Sequence, residues 1–165
     1  MGKEWVLVIG DHSLPENTFF RLPMNGFTLA RKKGVFNVDF KKDFWPGTIS
    51  SMQGLSFAEA WGRWSSGDVV TLEFVSPLPE KFTIHLVACA IGPNVGKEFV
   101  VYVGDSAKSF TLSASREERV LEFDNPKRSK TVKISIPSPI SHRELGLNGD
   151  NRRVGIGLFE LNISP

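Results

Sequence analysis

The chain has 165 residues, of which 41% are hydrophobic, and its formal net charge at pH 7 is +2. These values are typical of one globular domain and exclude a disordered or fibrous chain. The charge excess is too small to predict nucleic-acid binding, and no stretch reaches the ~18 apolar residues of a membrane-spanning helix. We therefore expect one domain over residues 1–165 that binds no nucleic acid and does not itself insert into a membrane.

Strand signals recur along the chain in short segments, whereas helical signals are weak. The 15 glycines and 10 prolines leave few windows with sustained helical periodicity. Residues 5–9 and 35–40 are predicted to be strands, and residues 1–40 are expected to pack on a sandwich that later segments build. Those later predicted strands cover residues 69–75, 81–91, 98–103, 109–112, 119–123, 131–136 and 153–163.

Turn-forming residues separate the predicted strands. Pro-Leu-Pro at 77–79 and Gly-Pro-Asn at 92–94 each follow a strand, and Gly104-Asp105 is typical of a tight hairpin turn. Only residues 57–61 look helical, for a single turn with Ser56 as its N-cap. Short strands at this spacing predict an all-β fold, an antiparallel β-sandwich of the jelly-roll type found in carbohydrate-binding modules.

The common catalytic and metal-binding signatures are absent from the sequence. The glycine-containing stretch 92–97 lacks the Lys-Ser/Thr ending of a phosphate-binding loop. Cys89 is the single cysteine and lies in an apolar run, so we expect a buried, unreactive thiol and no disulfide. His12, His85 and His142 are far apart in the sequence, and His85 falls on the polar phase of a predicted strand, which favours a surface position. We therefore predict no catalytic residue, no metal site and no cofactor in this chain.

Residues 54–65 (GLSFAEAWGRWS) concentrate side chains that are suited to ligand contact. Two of the four tryptophans, Trp61 and Trp64, flank Arg63, and Glu59 precedes them. An indole face can stack on the C–H surface of a sugar, and the planar arginine fork can hydrogen-bond vicinal hydroxyls. If the segment is a strand, Trp61 and Arg63 share one face and Trp64 lies on the other. Two other interpretations remain open: these residues are core anchors with a buried Glu–Arg pair, or they form an interface with another domain.

A second polar concentration precedes the last predicted strand. Arg152 is followed by the stretch VGIG at 154–157, whose alternate glycines remove side chains from one face and leave room for a bulky group. The last strand of a sandwich commonly pairs near an early one, so Arg152 is expected beside the tryptophan segment. The predicted ligand-binding residues are Glu59, Trp61, Arg63, Trp64 and Arg152.

These segments give the sequence a resemblance to a known family. Residues 54–65, together with PLPEKF at 77–82, VYVG at 101–104, LEFDNP at 121–126 and RRVGIG at 152–157, resemble a C-terminal accessory domain of bacterial membrane enzymes that act on cell-envelope glycans. The family includes the phosphoglycerol transferase of osmoregulated periplasmic glucans and multi-spanning sugar transferases. The resemblance covers about residues 48–163.

The resemblance implies a periplasmic β-sandwich that accompanies a catalytic domain and has no settled function of its own. For the phosphoglycerol transferase, the resemblance implies that a separate metal-dependent, sulfatase-like domain performs the chemistry. No segment of this chain matches that domain. The implied localisation is the periplasm, as part of a membrane-anchored parent protein.

The expected function is carbohydrate recognition without catalysis, by an accessory domain of an envelope-glycan-modifying transferase. The expected partners are an envelope glycan or oligosaccharide and the catalytic or membrane part of the parent protein. Two alternatives remain: a purely structural domain that docks onto that part, or a stand-alone glycan-active enzyme. An enzyme would need converging carboxylates in one pocket, for which the sequence offers Glu59, Glu144 and Asp150.

Overall fold

The computed structural model describes residues 36–43 and 47–165 in full and residues 5–9, 18–24 and 27–32 as backbone strands. The strands, in chain order, are β1 (Trp5–Ile9), β2 (Thr18–Met24), β3 (Phe27–Lys32), β4 (Phe36–Asp39), β5 (Ile49–Gln53), β6 (Arg63–Trp64), β7 (Val69–Phe74), β8 (Lys81–Ala90), β9 (Glu98–Val103), β10 (Ser106–Thr111), β11 (Glu117–Asp124), β12 (Thr131–Ser135), β13 (Ile140–Ser141), β14 (Arg153–Val154) and β15 (Ile156–Ser164). The described residues contain no α-helix, and their one helical element is a 3-10 turn at Gly92–Asn94. None of the helical structure in this part of the chain has the length and apolar character that crossing a membrane requires.

Two five-stranded antiparallel sheets form the sandwich. The front sheet has the order β11-β8-β15-β4, and β6 also pairs with β15. The back sheet has the order β10-β9-β12-β7-β5. A separate three-stranded sheet has the order β1-β3-β2, and β13 pairs with β14. The predicted all-β, antiparallel sandwich is confirmed.

Alternation along each strand places one row of apolar side chains in the core between the two sheets. On β8 the buried Phe82 and Leu86 alternate with the half-buried His85 and Val87, which lie on the outer side of the front sheet. His85 is therefore a surface residue, as predicted. The core also receives fully buried side chains from the back sheet, among them Leu72, Phe99, Val132 and Ile134.

The seven strands predicted between residues 69 and 163 are present, and the bounds of two of them differ from the prediction. β10 begins at Ser106 because Gly104 and Asp105 alone make the hairpin turn, with Gly104 at φ +57°. The predicted closing strand is divided at Gly155 into β14 and β15. There the backbone N–H groups of Gly155 and Ile156 donate to the Ser65 hydroxyl, at 3.0 and 3.2 Å.

The N-terminal region is described in part. β1 is a strand, as predicted, and pairs with β3. β4 lies at the edge of the front sheet, paired with β15. His12 and Val35 fall outside the described residues, and the prediction that residues 1–165 form one domain with residues 1–40 packed on the sandwich stays a prediction.

Candidate functional site

Residues 55–65 form a hairpin that leads from β5 into β6 at one end of the front sheet. The backbone N–H of Ser56 donates to Trp64 O at 2.9 Å, and Glu59 and Gly62 exchange two backbone hydrogen bonds at 2.8 and 3.2 Å. The predicted helical turn capped by Ser56 is therefore wrong, because the amide of Ser56 bonds across the hairpin. Backbone hydrogen bonds therefore connect the two arms of the hairpin.

Two glycines let this hairpin approach β15 closely. Trp64 on β6 is opposite Gly157 on β15. A Cβ on Gly62 would lie 2.2 Å from Leu158 O, and a Cβ on Gly157 would lie 2.9 Å from Cys89 Sγ and 3.0 Å from Trp64 Cζ3. The prediction that glycine in this strand leaves room for a bulky group is confirmed, and the group is an indole ring.

Arg63 is buried, with 7% of its surface exposed, and holds the hairpin from within. Its Nε donates to Phe40 O at 3.2 Å, its Nη1 to Ser56 O at 3.2 Å and its Nη2 to Lys42 O at 2.7 Å. These bonds join the hairpin to the turn that follows β4. The structure thus places this predicted ligand-binding residue beneath the surface, where it supports the site.

Trp61, Trp64 and Phe159 form an aromatic cluster on the outer side of the front sheet. The Trp61 ring centroid lies 5.0 Å from that of Trp64, edge to face, and 5.0 Å from that of Phe159. All three side chains are half-buried. The prediction that Trp61 and Trp64 lie on opposite faces is wrong, because Trp61 is at the tip of a hairpin and not in a strand.

Phe159 was not predicted as a site residue. Phe159 faces outward beside Trp61, in phase with Gly157, and the register of β15 against β8 shifts between Leu158 and Glu160, so that Glu160 faces outward as well. The buried apolar residues of β15, Ile156, Leu158, Leu161 and Ile163, are spaced two, three and two residues apart. This spacing marks the bulge in the sequence, but it was not used to predict Phe159 as a site residue.

Charged side chains border the aromatic cluster. Trp61 Nε1 donates to Glu59 Oε2 at 3.0 Å, and Glu59 Oε1 lies 3.6 Å from Arg152 Nη2. Arg152 in turn donates from Nε and Nη2 to Asp150 Oδ2, at 2.8 and 2.5 Å. The expectation that Arg152 lies beside the tryptophan hairpin is confirmed. Both Glu59 and Arg152 remain about one-quarter exposed, so solvent reaches them.

Two further aromatic side chains, Phe57 and His142, contact the charged residues Arg152 and Asp150. Arg152 Cζ lies 4.4 Å from the centroid of the Phe57 ring, which is 65% exposed. His142 packs edge-on against Trp64, with ring centroids 5.8 Å apart, and its Nδ1 lies 3.6 Å from Asp150 Oδ2. The roles of Phe57 and His142 were not predicted, because residues 57–61 were expected to form a helical turn and no sequence signal marks His142 as a neighbour of the hairpin.

Two of the three carboxyl groups considered for catalysis, Asp150 and Glu144, have environments that favour their ionised forms. Hydrogen bonds from the side chain and backbone of Arg152 hold the pKa of Asp150 well below its usual range. The backbone and hydroxyl of Ser141 donate to Glu144 Oε2 and lower the pKa of Glu144. A general acid needs a raised pKa, so neither carboxyl is suited to that role.

The other chemical groups considered from the sequence were the thiol of Cys89 and candidate metal ligands. Cys89 is buried, as predicted, and burial raises the pKa of its thiol. It lies beneath the indole rings, which was not predicted. In residues 36–43 and 47–165, no three His, Cys, Asp or Glu side chains are arranged to hold a metal ion.

Asp150→Asn is expected to make protein stability less dependent on acid pH. Because the folded-state pKa of Asp150 is depressed, its contribution to stability is present above its ordinary pKa of 3.8 and is lost as the pH falls toward the folded-state pKa. The melting temperatures of wild type and variant, measured from about pH 7 down to about pH 2, should therefore converge at low pH. Asp105→Asn, which removes an exposed partner of Lys127, is the control. If the melting temperatures of wild type and Asp150→Asn change in parallel with pH, the depressed pKa of Asp150 is contradicted.

Solved structures of carbohydrate-binding modules have a similar fold. One mutant of the family 29 module CBM29-2 has a TM-score of 0.54 at 12% sequence identity, covering 79% of this chain and 91% of that chain. A second mutant of the same module has a TM-score of 0.51 at 9% identity, with the same coverage. At these identities the likeness shows the fold, a β-sandwich of the type found in such modules.

Similar sequences occur in bacterial transferases. The chain is 36% identical over 122 residues to phosphoglycerol transferase I of Escherichia fergusonii and 35% identical to that of Citrobacter koseri. Each match covers 72% of this chain but only 16% of the transferase, so the chain spans a small part of these relatives. The resemblance seen in the sequence, to the C-terminal region of that enzyme, is confirmed. A domain of unknown function, DUF7024, matches residues 31–165, and the chain belongs to this family.

Proposed function

We propose that this chain is a non-catalytic carbohydrate-recognition domain that accompanies a transferase acting on bacterial cell-envelope glycans. Its glycan contact is the aromatic cluster, with Glu59 and Arg152 at the border. The observation that carries the proposal is the placement of Trp61, whose half-buried ring rests against two other rings while Glu59 accepts its Nε1–H. Because the indole is already held in place, binding costs little side-chain entropy.

The chemistry of this site suits a sugar. The aromatic rings offer apolar surface for C–H groups, and the partly exposed carboxylate and guanidinium beside them offer an acceptor and donors for hydroxyls. The fold of carbohydrate-binding modules and the similarity to transferases support the same role. The proposal also assigns the domain to the periplasm, attached to a membrane-anchored parent protein whose catalytic part performs the chemistry.

Trp61→Ala is expected to weaken the binding of gluco-oligosaccharides at least about tenfold, or about 1.4 kcal/mol, from a wild-type affinity on the order of millimolar. Calorimetric titration measures this directly, and quenching of tryptophan fluorescence provides a second readout for wild type. Tyr102→Ala is the matched control, because Tyr102 is an exposed aromatic residue on the outer side of the back sheet. Wild type that binds no sugar at about tens of millimolar, or Trp61→Ala that binds as well as wild type, would overturn the proposal.

A docking role is the second candidate for the same end of the sandwich. Phe57, which packs against Arg152, and Leu147, in the segment between β13 and β14, each expose about two-thirds of their surfaces. Such apolar side chains suit contact with the catalytic or membrane part of the parent protein. Association of the isolated domain with the separately expressed remainder of its parent, without any affinity for glycans, would favour this candidate.

A further inference from the structure

We propose that the aromatic cluster is one end of a longer surface, the outer face of the front sheet, and that this surface binds a linear chain of neutral sugar residues. The outer face consists of the side chains of β11, β8, β15 and β4 that point away from the back sheet. The inference rests on the proposed function and deepens it, because it extends one sugar contact to several and states the charge class of the glycan.

The strand register aligns a continuous row of residues with the aromatic cluster. The facing pairs on β8 and β15 are Cys89 with Gly157, Val87 with Glu160, His85 with Asn162, and Thr83 with Ser164. Gly157 and Cys89 lie directly beneath the indole rings, so the row begins at the cluster. From Cys89 to Thr83, β8 rises about 20 Å at ~3.3 Å per residue. The face is therefore long enough for several sugar residues.

Planar and polar side chains continue from the cluster along this face. Arg116 Cζ lies 4.9 Å from the Phe159 ring centroid, and Arg116 Nη2 lies 3.1 Å from Glu160 Oε1. Farther along, His85 Nδ1 lies 2.9 Å from Glu118 Oε1. These pairs are substantially exposed and mutually oriented. They can hydrogen-bond the hydroxyls of a chain whose first unit stacks on the aromatic cluster.

The charges on this face favour a neutral glycan. Carboxylates outnumber cationic groups among the described side chains on the outer face: Asp39, Glu118, Glu122, Asp124 and Glu160 against Lys81 and Arg116. Glu59, Asp150 and Arg152 border the face beside the aromatic cluster. Both arginines already have carboxylate partners, at 3.1 and 2.5 Å. An anionic chain would therefore meet like charge and would have to displace an existing ion pair to gain a cation.

The test is calorimetric titration of the protein with linear β-gluco-oligosaccharides, from the disaccharide to the hexasaccharide, and with the same chains oxidised to carboxylates at C6. The hexasaccharide should bind about tenfold more tightly than the disaccharide, and oxidation should weaken binding several-fold. Asn162→Ala and His85→Ala should each reduce the hexasaccharide-to-disaccharide affinity ratio by about threefold. Lys133→Ala, on the outer side of the back sheet, should leave the ratio unchanged. Melting temperatures show that each variant is folded.

The outcomes separate this inference from the proposed function. If disaccharide and hexasaccharide bind equally and Trp61→Ala abolishes both, the extended surface is overturned and the proposed function stands. If oxidised chains bind more tightly than neutral ones, the inference that the bound glycan is neutral is overturned. If wild type binds none of these chains, both proposals fail.

Discussion

Arg63→Ala is expected to lower the free energy of unfolding by about 3–5 kcal/mol, because it leaves buried carbonyl groups without donors. The Arg63 guanidinium donates to Phe40 O, Ser56 O and Lys42 O, at 2.7 to 3.2 Å. With 7% of the residue exposed, water cannot readily replace these donors. The turn after β4 and the hairpin would lose their connection, and the aromatic cluster would lose its support.

Urea denaturation followed by far-UV circular dichroism measures this loss. Arg63→Lys keeps the charge but supplies one nitrogen in place of three, so it should recover less than half of the stability. Arg63→Lys also gives a measurable value if the alanine variant does not fold. Arg153→Ala is the matched control, because Arg153 donates to one backbone carbonyl at the surface, Pro139 O at 2.7 Å. A lysine variant as stable as wild type would show that charge alone, and not the three-way hydrogen bonding, accounts for the contribution of Arg63.

Alternating apolar and polar residues made most of the sandwich predictable. β7, β8 and β12 were recognisable because their inward residues, such as Leu72, Leu86 and Ile134, are consistently apolar. β5 has the sequence ISSMQ, in which serine replaces the expected alternation. β6 has two residues and depends on β15, a partner remote in sequence. Neither strand carries a local signal strong enough to predict it.

The composition of the candidate site was visible in the sequence, whereas its geometry was not. Glu59, Trp61 and Trp64 are close together in the chain, and the expected proximity of Arg152 followed from strand order. Their arrangement depends on a hairpin that the one-turn helical pattern concealed. Phe159 faces outward in phase with Gly157, and the bulge after Leu158 places Glu160 on the same face, where a strict period of two would turn Glu160 inward.

The buried position of Arg63 changes the meaning of the tryptophan–arginine pattern. From sequence, Arg63 and the two tryptophans were equivalent candidates for ligand contact. In the structure Arg63 lies beneath the surface and the indoles lie above it, so one short segment contains both a buried support and the partly exposed rings that we propose as the contact surface. A structural role, one of the interpretations left open, therefore fits Arg63, whereas ligand contact by the two indoles stays a proposal.

Gly62→Ala is expected to lower the free energy of unfolding by about 3 kcal/mol and to disturb the aromatic cluster. An added Cβ would lie 2.2 Å from Leu158 O, 3.1 Å from Leu158 C and 3.4 Å from Phe159 Cα. These are backbone atoms of β15, an interior strand of the front sheet, which cannot move aside as the end of a side chain can. The hairpin must retreat instead, and the Trp61 ring must move away from Phe159.

Chemical denaturation and near-UV circular dichroism test both parts of this expectation. Gly149→Ala is the matched control, because a Cβ there meets no atom within 4 Å, and it should change stability by less than about 0.5 kcal/mol. Gly62→Ala should lose the aromatic near-UV signal together with sugar affinity, since both depend on the same indole geometry. A variant with the wild-type signal and affinity would show that close approach of the hairpin to β15 does not position the cluster. Loss of the signal with full affinity would instead place the sugar contact away from Trp61.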